Sequence, residues 1–155
     1  MSLDSCIIQK CQESWDEQFI PSTPNYKNCS GFVKSVAKKL DVPLPNVQAD
    51  GIVEAIEKSW TKIKTGSEAA KKAAMGFLVI AGLKSTAYVK PPTQGHLAII
   101  INGPLYRDKY PLCWGGSTGT AQSKGDKSVG LIWRPEDRDN VGYYMYKIQV
   151  CTTQA

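Results

Sequence analysis

Apolar residues recur at helical spacing through the first half of this chain and at strand spacing through the second half. In the first half, apolar positions three or four residues apart predict helices over about 3–18, 28–40, 49–63 and 67–74. Asn28 and Ser67 are residue types that commonly cap a helix N-terminus, so we expect them to begin the second and fourth helices.

After Gly76 the pattern changes to short apolar runs, which predict strands at 77–80, 97–101, 112–114, 129–133 and 143–150. The run at 97–101 is apolar enough to be covered on both faces of a sheet. Segment 115–130 holds five glycines and is interpreted as a mobile surface loop. Helices first and strands second predict an α+β fold, with helices packed on an antiparallel sheet in one domain over 1–155.

Composition narrows the class of protein. The chain has 155 residues, of which 42% are hydrophobic and 21% charged, so we expect a globular domain with a core of its own. The longest apolar run, 77–82, is too short to span a bilayer, so no membrane insertion is expected. The net charge of +5 suits an anionic polymer such as cell wall or nucleic acid and identifies neither. Residues 1–5 carry an acid where a signal peptide needs a basic region, so we expect no secretory signal.

The chain contains five cysteines, two of which lie near its ends. Cys6 and Cys11, with a single histidine in the whole chain, do not give a zinc-ligand spacing, so neither a metal nor another cofactor is expected. Cys6 and Cys151 lie near the two termini, which are often close in compact domains, so a disulfide between them is one interpretation. The other is a pair of small buried residues.

Cys29 and His96 occupy positions that suit thiol chemistry. Cys29 opens the second predicted helix, where backbone N–H groups and the helix dipole favour an anion, so we expect a lowered thiol pKa. His96, the only histidine, opens the most apolar strand. Thiol catalysis needs a base near the sulfur, held by a third group, and we interpret the pair as nucleophile and general base. Each residue alone is also compatible with a structural role.

Two motifs carry a resemblance to a known family. Residues 28–33, Asn-Cys-Ser-Gly-Phe-Val, resemble the Asp-Cys-Ser-Gly-Phe-Val motif of NlpC-type cell-wall peptidases, and residues 95–100, Gly-His-Leu-Ala-Ile-Ile, resemble their histidine strand. The motifs stand in the family's order and on the expected elements. The resemblance implies a papain-like fold with Cys29 as nucleophile and His96 as base.

The chain is more closely similar to one branch, the first family of antibacterial amidase effectors of the type VI secretion system. This similarity extends through residues 14–16, 23–25, 28–36, 59–62, 76–84, 103–107, 109–111, 113–114 and 127–130. It implies a monomeric hydrolase that cuts the bond between D-glutamate and meso-diaminopimelate in peptidoglycan stems. It also implies injection by the secretion apparatus into a rival's periplasm and a periplasmic immunity protein that blocks the cleft. Delivery by that route reconciles a disulfide with the expected lack of a secretory signal.

The family places a third catalytic group on the strand after the histidine strand. In this sequence residues 112–116 offer no polar side chain except the Cys113 thiol. A backbone carbonyl can hold the imidazole equally well, so we predict the main chain at Gly115, where relatives can carry a cysteine.

Two other functions remain open from the sequence. A CHAP-type amidase would use the same cysteine and histidine to cut the cross-bridge or the sugar–peptide bond. A non-catalytic module that binds cell wall or nucleic acid would be consistent with the positive charge. The fragments released from peptidoglycan distinguish all three.

Overall fold

A six-stranded antiparallel sheet runs through the part of the chain that the computed structural model describes, residues 4–23, 28–116 and 121–149. The helices there are α1 (Ser5–Glu17), α2 (Cys29–Lys39), α3 (Ala49–Ser59), α4 (Gly66–Ala74) and α5 (Val129–Ile132). The strands are β1 (Thr61–Ile63), β2 (Leu78–Leu83), β3 (His96–Ile100), β4 (Leu112–Gly115), β5 (Ser123–Ser128) and β6 (Gly142–Tyr146). The expected α+β class is confirmed.

The strands lie in the order β1-β6-β2-β3-β4-β5, which places β2 and β3 in the middle. Every residue of these two strands is buried, as the apolar run at 97–101 predicted for β3. Their register pairs Ala81 with Ala98 and Leu83 with His96. His96 therefore stands at the end of a central strand, within the sheet.

The core has two halves, one on each face of the sheet. Helices α1, α2 and α3 cover one face with side chains such as Ile7, Phe32 and Ile56, which pack with Leu97 and Ile99. The opposite face is covered by α4 and α5, through residues that include Ala69, Ala73, Val129, Ile132 and Trp133. Because successive strand residues point to opposite faces, β3 contributes to both halves. Covering both faces holds this strand, and the histidine that opens it, in place.

Helix bounds differ from the sequence prediction at two places. The third helix ends at Ser59, and residues 61–63, predicted as its last turn, form β1. They pair with Tyr143, Tyr144 and Met145 of β6, so a tertiary pairing overrides a helical periodicity. The fourth helix is capped by Thr65, whose hydroxyl accepts from the Glu68 N–H at 3.1 Å, and not by Ser67.

The glycine-rich segment also differs from its prediction. Residues 123–128, taken as part of a mobile loop, form β5 at the edge of the sheet, where Ser128 pairs with Leu112. Residues 129–132, predicted as a strand, form the short helix α5, capped by the Ser128 hydroxyl. The sequence of β5, Ser-Lys-Gly-Asp-Lys-Ser, has no apolar residue and therefore shows no strand pattern. Polar and charged residues are common in edge strands.

The cysteines of the described chain fall into two groups. Cys11, Cys29 and Cys113 are free thiols. Cys6 is disulfide-bonded and does not titrate. Cys151 lies outside the described residues, so its pairing with Cys6 stays a prediction. No helix within the described ranges is long and apolar enough to cross a membrane.

Candidate active site

Cys29 is the first residue of α2, and the residue before it organises the helix start. The Asn28 side-chain oxygen accepts from the backbone N–H of Ser30 at 3.0 Å and of Gly31 at 3.1 Å. It also accepts from the Ser30 hydroxyl at 2.8 Å. Asn28 is thus the N-cap, as predicted, and it satisfies two of the free N–H groups of the first turn. The Cys29 N–H is not taken up by this cap, and it interacts with the sulfur of its own residue.

The start of β3 lies directly against the start of α2. The Cys29 sulfur accepts a hydrogen bond from the backbone N–H of Leu97, the residue that follows His96. Phe32, one helical turn further along α2, packs in the same buried cluster as Leu97. The structure therefore places Cys29 against the residue that follows His96, although 67 positions separate the two predicted site residues in sequence.

The His96 ring is held from two sides. Its Nε2 lies 3.0 Å from the carbonyl oxygen of Ala121, so Nε2 carries the proton of the neutral ring and donates it to that oxygen. The Trp133 ring packs edge-on against the imidazole, with centroids 5.1 Å apart. This arrangement leaves Nδ1 as the nitrogen that can accept a proton from a thiol.

The residue that holds the imidazole differs from the one predicted from the sequence. The group that holds the ring is a backbone carbonyl, which is the kind of group predicted. It belongs to Ala121 and not to Gly115. Gly115 lies on β4, where a side chain's Cβ would be 3.5 Å from the Leu97 carbonyl oxygen and 3.8 Å from that of Ala121. The chain returns along β5, which pairs Gly115 with Ser123, and this return brings Ala121 over the start of β3. The sequence of β5 has no apolar residue that would predict a strand, so it does not predict the position of Ala121.

Burial shifts both reacting groups toward their uncharged forms. It lowers the pKa of His96 to about 4, although the Ala121 carbonyl acts in the other direction. Burial likewise raises the pKa of the Cys29 thiol above its ordinary value, against the hydrogen bonds from Leu97, Ser30 and its own N–H. The lowered thiol pKa expected from the helix start is therefore wrong for this state, because desolvation outweighs the N–H groups there.

Asp50, on the first turn of α3, supports the segment that leads into His96. Its Oδ1 accepts from the backbone N–H of Ser85 at 2.8 Å and of Gly95 at 2.9 Å, and its Oδ2 accepts from the Ser85 hydroxyl. Burial acts to raise the pKa of this carboxyl, but these hydrogen bonds and Lys84 lower it overall. One carboxylate thus joins α3, the end of β2 and the start of β3. An acid at a helix start is the only sign of this role in the sequence.

The geometry can be set beside known proteins. Over 153 residues the chain is 53% identical to the peptidoglycan amidase Tse1 of Pseudomonas aeruginosa strain PAO1, an alignment that covers 97% of this chain and 96% of that protein. The chain belongs to the Tse1 family. No general family model matches the chain.

In this Tse1-family chain, Cys29 differs from the other free thiols. Cys11 and Cys113 are fully buried. Burial raises the pKa of Cys113 to about 12, and its thiol donates to the Lys127 carbonyl at 3.5 Å. Cys29 is partly exposed. Of the three free thiols, it alone is open to a substrate.

No group of three or more histidine, cysteine or acidic residues within the described ranges is placed to hold a metal ion. A cavity of about 580 Å³ lies along α2 and is lined by residues such as Glu17, Lys34 and Lys38. Neither Cys29 nor His96 lines it, so we do not place the reaction there.

Proposed function

We propose that this protein is a peptidoglycan amidase that uses Cys29 as nucleophile and His96 as general base. The observation that carries the proposal is the contact between the starts of α2 and β3, in a chain similar over nearly its full length to a peptidoglycan amidase. Motifs in the sequence indicate both residues independently of this contact. The contact between the starts of the two elements supports the assignment of roles.

The first step is acylation of the sulfur. His96 is neutral because its pKa is about 4, so Nδ1 is free to take the thiol proton as the sulfur attacks the amide carbon. A carbon–sulfur bond forms, and the carbonyl oxygen becomes an oxyanion. The backbone N–H of Cys29 is the available donor for this oxyanion, because Asn28 occupies those of Ser30 and Gly31.

The second step breaks the amide bond and restores the enzyme. Nδ1 returns its proton to the leaving nitrogen, so the carbon–nitrogen bond breaks and a thioester to Cys29 remains. Water then attacks the thioester as His96 takes one of its protons, the carbon–sulfur bond breaks, and His96 returns that proton to the Cys29 sulfur as the acid product leaves. The Ala121 carbonyl fixes the same tautomer throughout, because it holds the proton on Nε2.

The bond that we propose is cut joins D-glutamate to meso-diaminopimelate in the peptide stem. The motifs at 28–33 and 95–100, together with the extended similarity to the type VI effector amidases, support this choice. Digestion of purified peptidoglycan followed by mass spectrometry of the fragments tests it. We expect new C-termini at D-glutamate and new N-termini at diaminopimelate. Fragments from the cross-bridge or the sugar–peptide bond would indicate a CHAP-type activity, and intact peptidoglycan would indicate a binding module.

Variants of the two reacting residues test the mechanism in the same digestion. We expect Cys29→Ala and His96→Ala to reduce hydrolysis at least about a thousandfold, because nucleophile and base act as one unit. Cys113→Ser is the matched control, since a hydroxyl can still donate to the Lys127 carbonyl. Activity near wild type in either site variant would refute these roles.

We further propose that the protein acts as a toxin delivered by a type VI apparatus into a recipient's periplasm, with an immunity protein as partner. Three expressed proteins test the place of action: the chain in the cytoplasm, the chain with a fused secretory signal, and the latter with Cys29→Ala. We expect lysis of Gram-negative cells only from the second, because peptidoglycan lies outside the cytoplasm. Equal toxicity in both compartments would contradict the proposal.

A further inference from the structure

A cavity of about 300 Å³ opens beside the His96 ring. His96 and Ala121 form part of its lining, together with Tyr88 and Trp133, whereas Cys29 does not line it. The cavity therefore lies on the side of the base. It thus contacts the base of the proposed catalytic pair.

The chemistry of amide hydrolysis indicates which half of the substrate lies on this side of the site. The acyl half of the substrate stays on the sulfur, whereas the base gives its proton to the leaving nitrogen. The leaving half therefore lies next to His96, and the cavity that His96 lines is the space available to it there. This step rests on the proposed function, since it takes Cys29 and His96 in those roles.

Hydrogen-bond donors and positive charges are among the groups that line the cavity. Lys90 and Arg134 are exposed, and neither takes part in the ion pairs found among the described residues. The Tyr88 hydroxyl accepts from the Trp133 indole N–H at 2.8 Å, so its own proton is free to donate elsewhere. Burial raises the pKa of Tyr88 to about 12, so the hydroxyl keeps that proton at neutral pH. These groups suit a carboxylate.

One acidic side chain also lines the cavity. Asp137 is 2% exposed, and its Oδ1 accepts from the Val89 N–H at 2.8 Å. A substrate that carried only a carboxylate would meet repulsion from this group. A substrate with an ammonium next to its carboxylate would have a partner for each charge.

We propose that the cavity beside His96 binds the side chain of the leaving residue and that it selects a side chain bearing both a carboxylate and an ammonium. Arg134 and Lys90 bind the carboxylate, with the Tyr88 hydroxyl as a further donor, and Asp137 binds the ammonium. Meso-diaminopimelate carries both groups at the end of its side chain, whereas lysine carries the ammonium alone. Arg134 and Asp137 are thus specificity-determining residues.

Three synthetic peptides test the proposal, each with γ-D-glutamate followed by one variable residue. The residues are meso-diaminopimelate, lysine, which lacks the carboxylate, and 2-aminopimelate, which lacks the ammonium. For wild type we expect the highest kcat/KM on the diaminopimelyl peptide. Arg134→Gln should lower the preference for this peptide over the lysyl peptide about tenfold, the size of one lost charge-assisted contact. Asp137→Asn should lower its preference over the aminopimelyl peptide.

Lys58→Gln serves as the control, because Lys58 is an exposed cation on α3 that does not line the cavity. It should leave both preferences unchanged. Equal kcat/KM for wild type on all three peptides would overturn the proposal. A uniform loss in Arg134→Gln, with both preferences retained, would overturn it as well. Hydrolysis of none of the peptides by wild type would instead count against the proposed function itself, and the subsite would fall with it.

Discussion

Burial around Cys29 and His96 favours the uncharged form of each side chain. The imidazole pKa of about 4 and the raised thiol pKa mean that a thiolate–imidazolium pair is not the resting state of this site. Proton transfer from Cys29 must then accompany the attack on the substrate. His96 works as a general base, and the helix start contributes to stabilising the oxyanion more than to forming a thiolate in advance.

The dependence of rate on pH tests this state of the histidine. We expect kcat/KM on a soluble stem peptide to stay level from about pH 7 down to about pH 5 and to fall only near pH 4, where His96 becomes protonated. Circular dichroism at each pH shows whether the protein is still folded. An acid limb at or above pH 6.5, the ordinary value for histidine, would contradict the neutral pair.

Asp50 is a positioning residue, because it acts through the backbone that precedes His96. In Asp50→Asn the amide loses the charge, and one of its two acceptor atoms becomes a donor, so contacts to Ser85 and Gly95 weaken. We expect kcat to fall about tenfold with little change in KM, as measured by steady-state kinetics. Glu54→Gln, an exposed neutralisation on the same helix, is the control. Lower thermal stability with unchanged kcat would limit Asp50 to a role in the fold.

At the scale of elements, a comparison of two helix caps of similar chemistry distinguishes an effect on stability from an effect on activity. Asn28 caps α2, which begins with the proposed nucleophile, and Thr65 caps α4, away from the site. We expect Asn28→Ala and Thr65→Ala each to lower the free energy of unfolding by about 1 kcal/mol in denaturant titrations. Only Asn28→Ala should also lower kcat, because it loosens the turn that presents Cys29. Equal kcat in the two variants would show that the cap does not position the nucleophile.

The elements that the sequence predicted well are those whose own periodicity agrees with their packing. Helix α2 shows a buried stripe through Phe32 and Val36, and β3 is an unbroken apolar run, so local pattern and tertiary burial coincide. Strands β1 and β5 lie at the two edges of the sheet, where pairing with a neighbour defines the strand. Little apolar surface marks such strands in a sequence.

The same distinction explains which parts of the site were predicted. Cys29 and His96 are side chains in recognisable motifs, and each opens a strongly patterned element. The carbonyl of Ala121 carries no side-chain signal, and its position depends on how β5 returns along β4. Asp50 reaches Gly95 only through the packing of α3 against the sheet. Contacts made by the main chain, or set by tertiary packing, cannot be found from residue types alone.

At the scale of the whole molecule, the predicted link between Cys6 and Cys151 would close nearly the entire chain. A loop of that length is worth about 4 to 5 kcal/mol in a chain-entropy description of disulfides. Counting reactive thiols in denatured, unreduced protein measures it directly. We expect three, from Cys11, Cys29 and Cys113, which are free in the structure. Five reactive thiols would refute the link.

The central claim is that Cys29 forms a covalent bond with the acyl half of a peptidoglycan stem. Acid quenching during turnover of the diaminopimelyl peptide, followed by mass spectrometry of the intact and then digested protein, tests it most directly. We expect an adduct with the mass of the fragment that ends at D-glutamate, attached to the peptide that contains Cys29 and absent from the Cys29→Ala protein. The same adduct on Cys11 or Cys113, or undiminished turnover by Cys29→Ala, would contradict the claim.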